Sequence, residues 1–229
     1  MTVTEKLIRA KEDYDAVYES GKQSEYDKFW DEYQQNGERT NYMYAFAGTG
    51  WTNENFAPKY NIVPDGNASG MFQQTGFSGD LAEFLSNLGV TMDLSKATSL
   101  SNLFGSAYGV TRVGVIDVTC SSSTSNLFAN AKTLATIDSL VVNISTDLST
   151  AFTNCSSLEN IKIDGVIGKS LKFVRSPLSE ESVRSIINAL SSGVAGQTLT
   201  MMASVTLPFY QDEWDDLINS KPNWTISLV

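Results

Sequence analysis

Between residues 94 and 166 the apolar positions return in the same order every 24 residues. Phe104, Phe128 and Phe152 keep this spacing, as do Leu94, Val118, Val142 and Val166. Ser101, Ser125 and Ser149 lie three residues before each Phe, and sliding the units aligns Val110, Leu134 and Leu158, then Val113, Ile137 and Ile161. A period of this length marks one supersecondary unit that buries its apolar face by stacking on its neighbours. In each unit a pattern such as Leu158-x-x-Ile161-x-Ile163 predicts a short strand, and the Phe six residues before the leading Leu or Val fills the interior of the turn. Equivalent strands are then expected to pair in parallel, about 4.8 Å apart. An earlier copy begins at "GMF": Phe72 lies 32 residues before Phe104, and the eight extra residues fit an amphipathic helix through Leu81, Phe84, Leu85 and Leu88.

Different patterns flank this array. Residues 3 to about 36 are charged and helix-prone, with Leu7, Ala10, Tyr14, Val17 and Tyr18 on one face and Tyr26, Phe29, Trp30 and Tyr33 forming an aromatic stretch. They predict one long helix, or two bent at Gly21. Next, "NYMYAFAGTGW" alternates Tyr42, Tyr44 and Phe46 on one side of an expected strand, and Pro58, Pro64 and "PDGN" mark turns. Such rings either stack on sugars or cap the open end of the array; an apolar stack needs a cap, which favours the second reading.

After the array, "SPLSEESVRSIINALSSG" predicts a helix with Ser179 as N-cap, Glu180 and Glu181 in its first turn, a Leu178–Val183 staple and Gly193 as terminator. A strand through Leu199 and Met201, a helix around "QDEWDDLIN" and a strand through Ile226 and Leu228 follow. Leu171 and Phe173, Leu199 and Met201, and Ile226 and Leu228 recur at 28 and then 27 residues. The domain reading is therefore 1–36 helical segment, 37–69 aromatic-rich cap, 70–176 repeats and 177–229 helix–strand–helix–strand repeats that close the sheet.

With 229 residues and 41% hydrophobic content the chain can bury a sizeable core. A net charge of −10, from 26 acidic against 16 basic residues, argues against nucleic acid or an anionic membrane as partner. The charged start lacks the apolar region of a signal peptide, and no apolar run approaches the roughly 20 residues of a membrane span, so synthesis in a cytoplasm is expected. Cys120 and Cys155 suit neither a disulfide framework nor a zinc site, and are read as two reduced, buried thiols.

The run Phe152-x-x-Cys155-x-x-Leu158-x-x-Ile161-x-Ile163 resembles the leucine-rich repeat in the variant common in BspA-type bacterial surface proteins. Two copies are degenerate: Ala107 and Ala131 take the Cys155 place, and Ser139 takes that of Ile163. Val118, Val142 and Val166 stand where many such repeats carry an Asn, so no backbone-binding Asn ladder is expected. The resemblance covers roughly residues 70 to 175 and implies an α/β repeat solenoid, a leucine-rich-repeat-like parallel sheet with an N-terminal helix and helical C-terminal repeats. The two ends of the chain, "EKLIRAKEDYDAVYESGKQSEYDKFWDEYQQNG" with "RTNYMYAFAGTGW" and the closing repeats, resemble uncharacterised proteins of phages and prophages from gut Firmicutes. That likeness implies a virion or tail-associated component rather than a mechanism.

Motifs for chemistry are few. The chain has no His, which removes the commonest general base and the Ser-His-Asp and Cys-His constellations. No phosphate-binding Gly fingerprint occurs. Asp212, Glu213, Asp215 and Asp216 lack calcium-loop spacing, and acids at a helix start need no ion to explain them. The expectation is a non-enzyme with no cofactor and no metal. What remains is a surface: stacking should align Arg112, Thr136 and Asn160 in one ladder and Gly114, Asp138 and Lys162 in the next. That strand face, built on Arg112, Thr136, Asn160, Asp138 and Lys162, is the expected binding site for a protein or glycan. The alternative is a structural virion or tail part in which the N-terminal helix mediates assembly or homo-oligomerisation.

Overall fold

The computed structural model describes residues 42–48, 52–54, 56, 58 and 61–229; the expected N-terminal helix lies outside them. The chain is α/β, with two parallel sheets and three α-helices among the described residues. In order these are β1 (Ser78–Asp80), α1 (Leu81–Asn87), β2 (Gly109–Asp117), β3 (Thr136–Val142), β4 (Asn160–Gly165), β5 (Leu171–Phe173), α2 (Glu180–Ala189), β6 (Gln197–Met201), α3 (Gln211–Asn219) and β7 (Trp224–Leu228). One sheet runs β1-β2-β3-β4 and the other β5-β6-β7, all pairs parallel.

The 24-residue spacing becomes contact in two places. On the sheet side, Val113 pairs with Ile137 and Ile137 with Ile161, all buried. On the turn side, the Phe rings form a column: centroids of Phe72 and Phe104 are 5.1 Å apart, Phe104 and Phe128 5.6 Å, and Phe128 and Phe152 5.8 Å, with planes within 14° of parallel. The backbone around each ring is tied to the next turn, because the N–H of Phe72 donates to Leu103 O, that of Phe104 to Leu127 O and that of Phe128 to Ala151 O, at 2.8, 2.8 and 2.9 Å. Offset ring pairs contribute about 0.5–1.5 kcal/mol each beyond the area they bury, so the column reinforces the hydrogen-bonded stack.

The column starts one turn earlier than the spacing indicated. Phe46 stands 5.2 Å from Phe72, and its N–H donates to Met71 O at 2.8 Å. Residues 42–48 are accordingly a stacked turn, where alternation had predicted a strand. Tyr42 and Phe46 point inward, while Tyr44 is exposed with φ 57°. The turn geometry explains this. The residues two before and two after the Phe take positive φ in copy after copy: Tyr44 and Gly48, Gly70 and Gln74, Asn102 and Ser106, Asn126 and Asn130. Asn and Gly adopt that region at least cost, so the pattern x-h-F-x-x with Asn or Gly at one or both ends was the legible signal.

At Phe152 the elements change sides. Phe173 of β5 stacks on Phe152 at 4.4 Å, so the second sheet continues the turn column, while α2 lies along β4 and continues the first sheet. The predicted 28- and 27-residue steps are the observed pairs Leu171–Leu199–Ile226 and Phe173–Met201–Leu228. One buried cluster runs from Tyr42 to Trp224.

Four details depart from the sequence pattern. Leu140, not Ser139, is opposite Ile163, because the β3–β4 register shifts between Ile137 and Leu140. One extra residue then separates the inward positions of β3, and Ser139 is left to give its hydroxyl to Asp164 at 2.6 Å. The shift moves the frame of β4, so Val166 is exposed and Ile167 is buried in its stead. Gly165, at φ 118°, absorbs the change: a Cβ there would run into the carbonyl oxygen of Val142. Helix α2 keeps Ser179 as N-cap, with Ser182 N–H donating to its hydroxyl, and its Leu178 and Val183 are both buried. It stops at Ala189, well before Gly193, because Ile167 N–H donates to Ala189 O and Ser191 N–H to Ile167 O, pulling the chain into a bridge. Cys155 is buried but Cys120 is exposed, so only one thiol fits the expectation of two buried ones.

Candidate binding surface

The outward positions of β2, β3 and β4 carry the residues expected to form the site. Arg112 pairs with Thr136 and Thr136 with Asn160, so the first ladder exists in register across three strands. The second ladder is interrupted. Asp138 follows Gly114 into β3, but the bulge sets Asp138 and Ser139 together against Lys162, whose ammonium turns along its own strand to Asp164 at 2.7 Å.

Charge on this face is internally paired. The Arg112 guanidinium donates from Nε and Nη2 to both oxygens of Asp138, at 2.8 and 3.0 Å, and from Nη1 to Asp80 Oδ2 at 3.0 Å. Its hydrogen bonds to Asp138 and then to Asp80 raise the guanidinium pKa further above its usual range, so it stays charged at any working pH. Asp80 has a second duty, because its Oδ1 accepts from Glu83 N–H at 2.8 Å and caps α1. The Lys162 ammonium and then the Ser139 hydroxyl hold the Asp164 carboxyl below the ordinary carboxylate range. The Thr136 hydroxyl and the Asn160 carboxamide, by contrast, make no hydrogen bond among the described residues and face outward as neutral donors and acceptors.

Helix α1 borders this face on one side. Its Ala82 methyl sits over the backbone of Gly114, 3.5 Å from where a Cβ would be. Between α1 and β2 lies a groove of about 430 Å³ whose lining includes Leu81, Leu85, Val90, Met92 and Val115. Val115 is 57% exposed, an unusual position for a β-branched apolar side chain on an otherwise polar face. Sequence reasoning missed this groove because Val115 reads as one more strand valine; only the 113-to-116 spacing of inward residues reveals that it points out.

The remaining reactive groups are placed as follows. Cys155 Sγ donates to Phe128 O at 3.1 Å, and burial pushes its thiol up to about 12. Of the acids on α3, Glu213 accepts from Tyr210 N–H at 3.3 Å and Asp215 from the Gln211 amide at 2.9 Å. Among the described residues no three acidic or thiol side chains are arranged to hold a metal ion. None of their helices is long and apolar enough to cross a membrane. One Asn rung occurs where no ladder was expected: Asn143 donates to Thr119 O of the preceding turn at 2.7 Å. No family model, curated protein or solved structure matches the chain.

Proposed function

We propose that this chain is a non-catalytic recognition module, a leucine-rich-repeat-like solenoid that binds a glycan or protein through the outer face of β2–β4, in the setting of a phage particle or bacterial surface. The observation that carries this reading is the in-register row Arg112–Thr136–Asn160 on an exposed parallel sheet. Stacked repeats offer such rows as extended binding surfaces. The internal pairing of Arg112, Asp138, Lys162 and Asp164 leaves little net charge to attract an ion, whereas Thr136 and Asn160 keep their hydrogen-bonding capacity. A hydroxyl-rich, uncharged ligand suits them best, with an apolar ring or methyl group entering the groove beside Val115.

The test is a glycan array probed with the full chain and with a Thr136→Ala/Asn160→Ala double variant. Two lost hydrogen bonds of about 1 kcal/mol each predict at least a tenfold fall in affinity for any glycan captured. Capture that is indifferent to both residues would exclude this face.

A further inference from the structure

We infer that the outer edge of β7 is a docking site for an extended basic peptide, which would add a strand to the β5–β6–β7 sheet. The inference is independent of the β2–β4 face and rests on how the fold treats its sheet edges.

The two edges of the first sheet are closed by side chains. At β1 the Asn53 carboxamide imitates a strand: its Nδ2 donates to Ser78 O at 2.6 Å and its Oδ1 accepts from Ser78 N–H at 2.7 Å. At β4 the hydroxyls of Ser182 and Ser185, on α2, accept from Ile161 N–H and Ile163 N–H, both at 2.8 Å. Unpaired strand edges invite other chains, and these contacts prevent that.

Among the described residues the β7 edge is left open. Val229 N–H donates to Met201 O and Val229 O accepts from Ala203 N–H, both at 2.9 Å, so Val229 faces β6. In a parallel ladder the residues alternate, so Thr225 and Ser227 also face β6 while the N–H and C=O groups of Ile226 and Leu228 point away from it. Among the described residues nothing pairs with them. The strand has no proline and no charge to discourage a partner, and Leu228 and Val229 are 40% and 64% exposed.

Charge identifies the occupant. The stretch from Ala203 to Val229 that ends in β7 carries Asp212, Glu213, Asp215 and Asp216, against one cation of its own, and among the described residues only Glu213 of the four faces a cation from elsewhere, Arg184 of α2 at 3.7 Å. The stretch's own cation, Lys221, is turned onto the carbonyls of Asn188 and Leu190, at 2.9 and 2.6 Å. A second copy pairing edge to edge about a two-fold axis would bring these acidic stretches towards each other. A strand bearing Lys or Arg at alternate positions is attracted by the net negative charge of this stretch instead. Main-chain bonds to Ile226 and Leu228 would give such a peptide its affinity, as in other strand-addition complexes.

The experiment uses the full chain and a labelled ten-residue peptide alternating Lys with Val, with a Glu–Val peptide as control. Fluorescence anisotropy measures binding, and hydrogen exchange follows the amides of Ile226 and Leu228. The Lys–Val peptide should bind at least tenfold more tightly than its Glu–Val counterpart and slow both amides. Leu228→Pro removes an outward N–H that the monomer does not use, as an edge position tolerates, and should weaken binding tenfold or more. Asp212→Lys/Asp216→Lys, at two exposed sites, should weaken it comparably and flatten its salt dependence. Equal binding of the two peptides, full binding by Leu228→Pro, or unchanged exchange at both amides would overturn the proposal. So would protection of these amides in a dimer without peptide, which would assign the edge to a second copy.

Discussion

Single residues carry the repeat through their backbone geometry as much as through their apolar side chains. The positions two before and two after Phe46, Phe72, Phe104 and Phe128 are left-handed, and where Asn or Gly occupies them the strain is small, but Ser106 at φ 56° and Gln74 at φ 53° bear it with ordinary side chains. Ser106→Gly should therefore stabilise the chain by about 0.5–1 kcal/mol in urea unfolding, where the same substitution in a strand would destabilise it. The two thiols differ as their surroundings do. Cys120 should react with a thiol reagent in the native state, and Cys155 only on unfolding, since burial suppresses its thiolate. Asp147 illustrates a turn device invisible to apolar periodicity. Hydrogen bonds from the hydroxyl and then the amide of Ser149 lower its pKa, and Ser95 does the same for Asp93. Because the folded values are depressed, their stabilisation is complete above the ordinary Asp value of about 3.9 and is lost as pH falls through the folded ones. The urea midpoint should hold from pH 7 to 5 and fall below about pH 4, less steeply in Asp147→Asn.

Elements succeed one another here by substitution. Helix α2 takes the place of a fifth strand beside β4, and it can do so because Ser182 and Ser185 present hydroxyls at the spacing of strand N–H groups. Ser182 also donates to Glu159 O at 2.8 Å, so its hydroxyl serves both a donor and an acceptor on the β4 edge. Ser182→Ala leaves the buried Ile161 N–H without a partner and should cost about 1–3 kcal/mol. Ser179→Ala removes the helix cap and the contact between the Ser179 and Ser182 hydroxyls, and should cost about 1–2 kcal/mol. Near-equal midpoints for Ser182→Ala and wild type in urea would contradict the edge-covering role. The sequence announced this helix through its caps and staple but hid its function, because "SEESVRS" reads as a polar face until β4 is known to lie against it.

At the scale of the whole molecule, legibility followed contact order along the chain. The parallel pairings Val113–Ile137–Ile161 and Leu171–Leu199–Ile226 could be read from spacing alone, since the recurring apolar residues sit opposite one another in neighbouring strands. The change of sides at Phe152, the β3 bulge and the Phe46 turn could not, because each breaks the period by one or a few residues and no apolar count registers such a break. The candidate binding face was partly legible. Its first ladder is in register, whereas the second fails at the bulge, and the pairing of Arg112 with Asp80 depended on β1, a strand too short to show alternation.

The phenylalanine column holds the turns at the spacing that lines up the strand face, so its removal tests the account most directly. Urea unfolding of Phe128→Ala against wild type should show a loss of about 3–5 kcal/mol, the cost of emptying a fully buried aromatic site. An unchanged midpoint and slope would mean that the ring does not fill a packed interior, and the stacked architecture with its aligned outer face would be wrong.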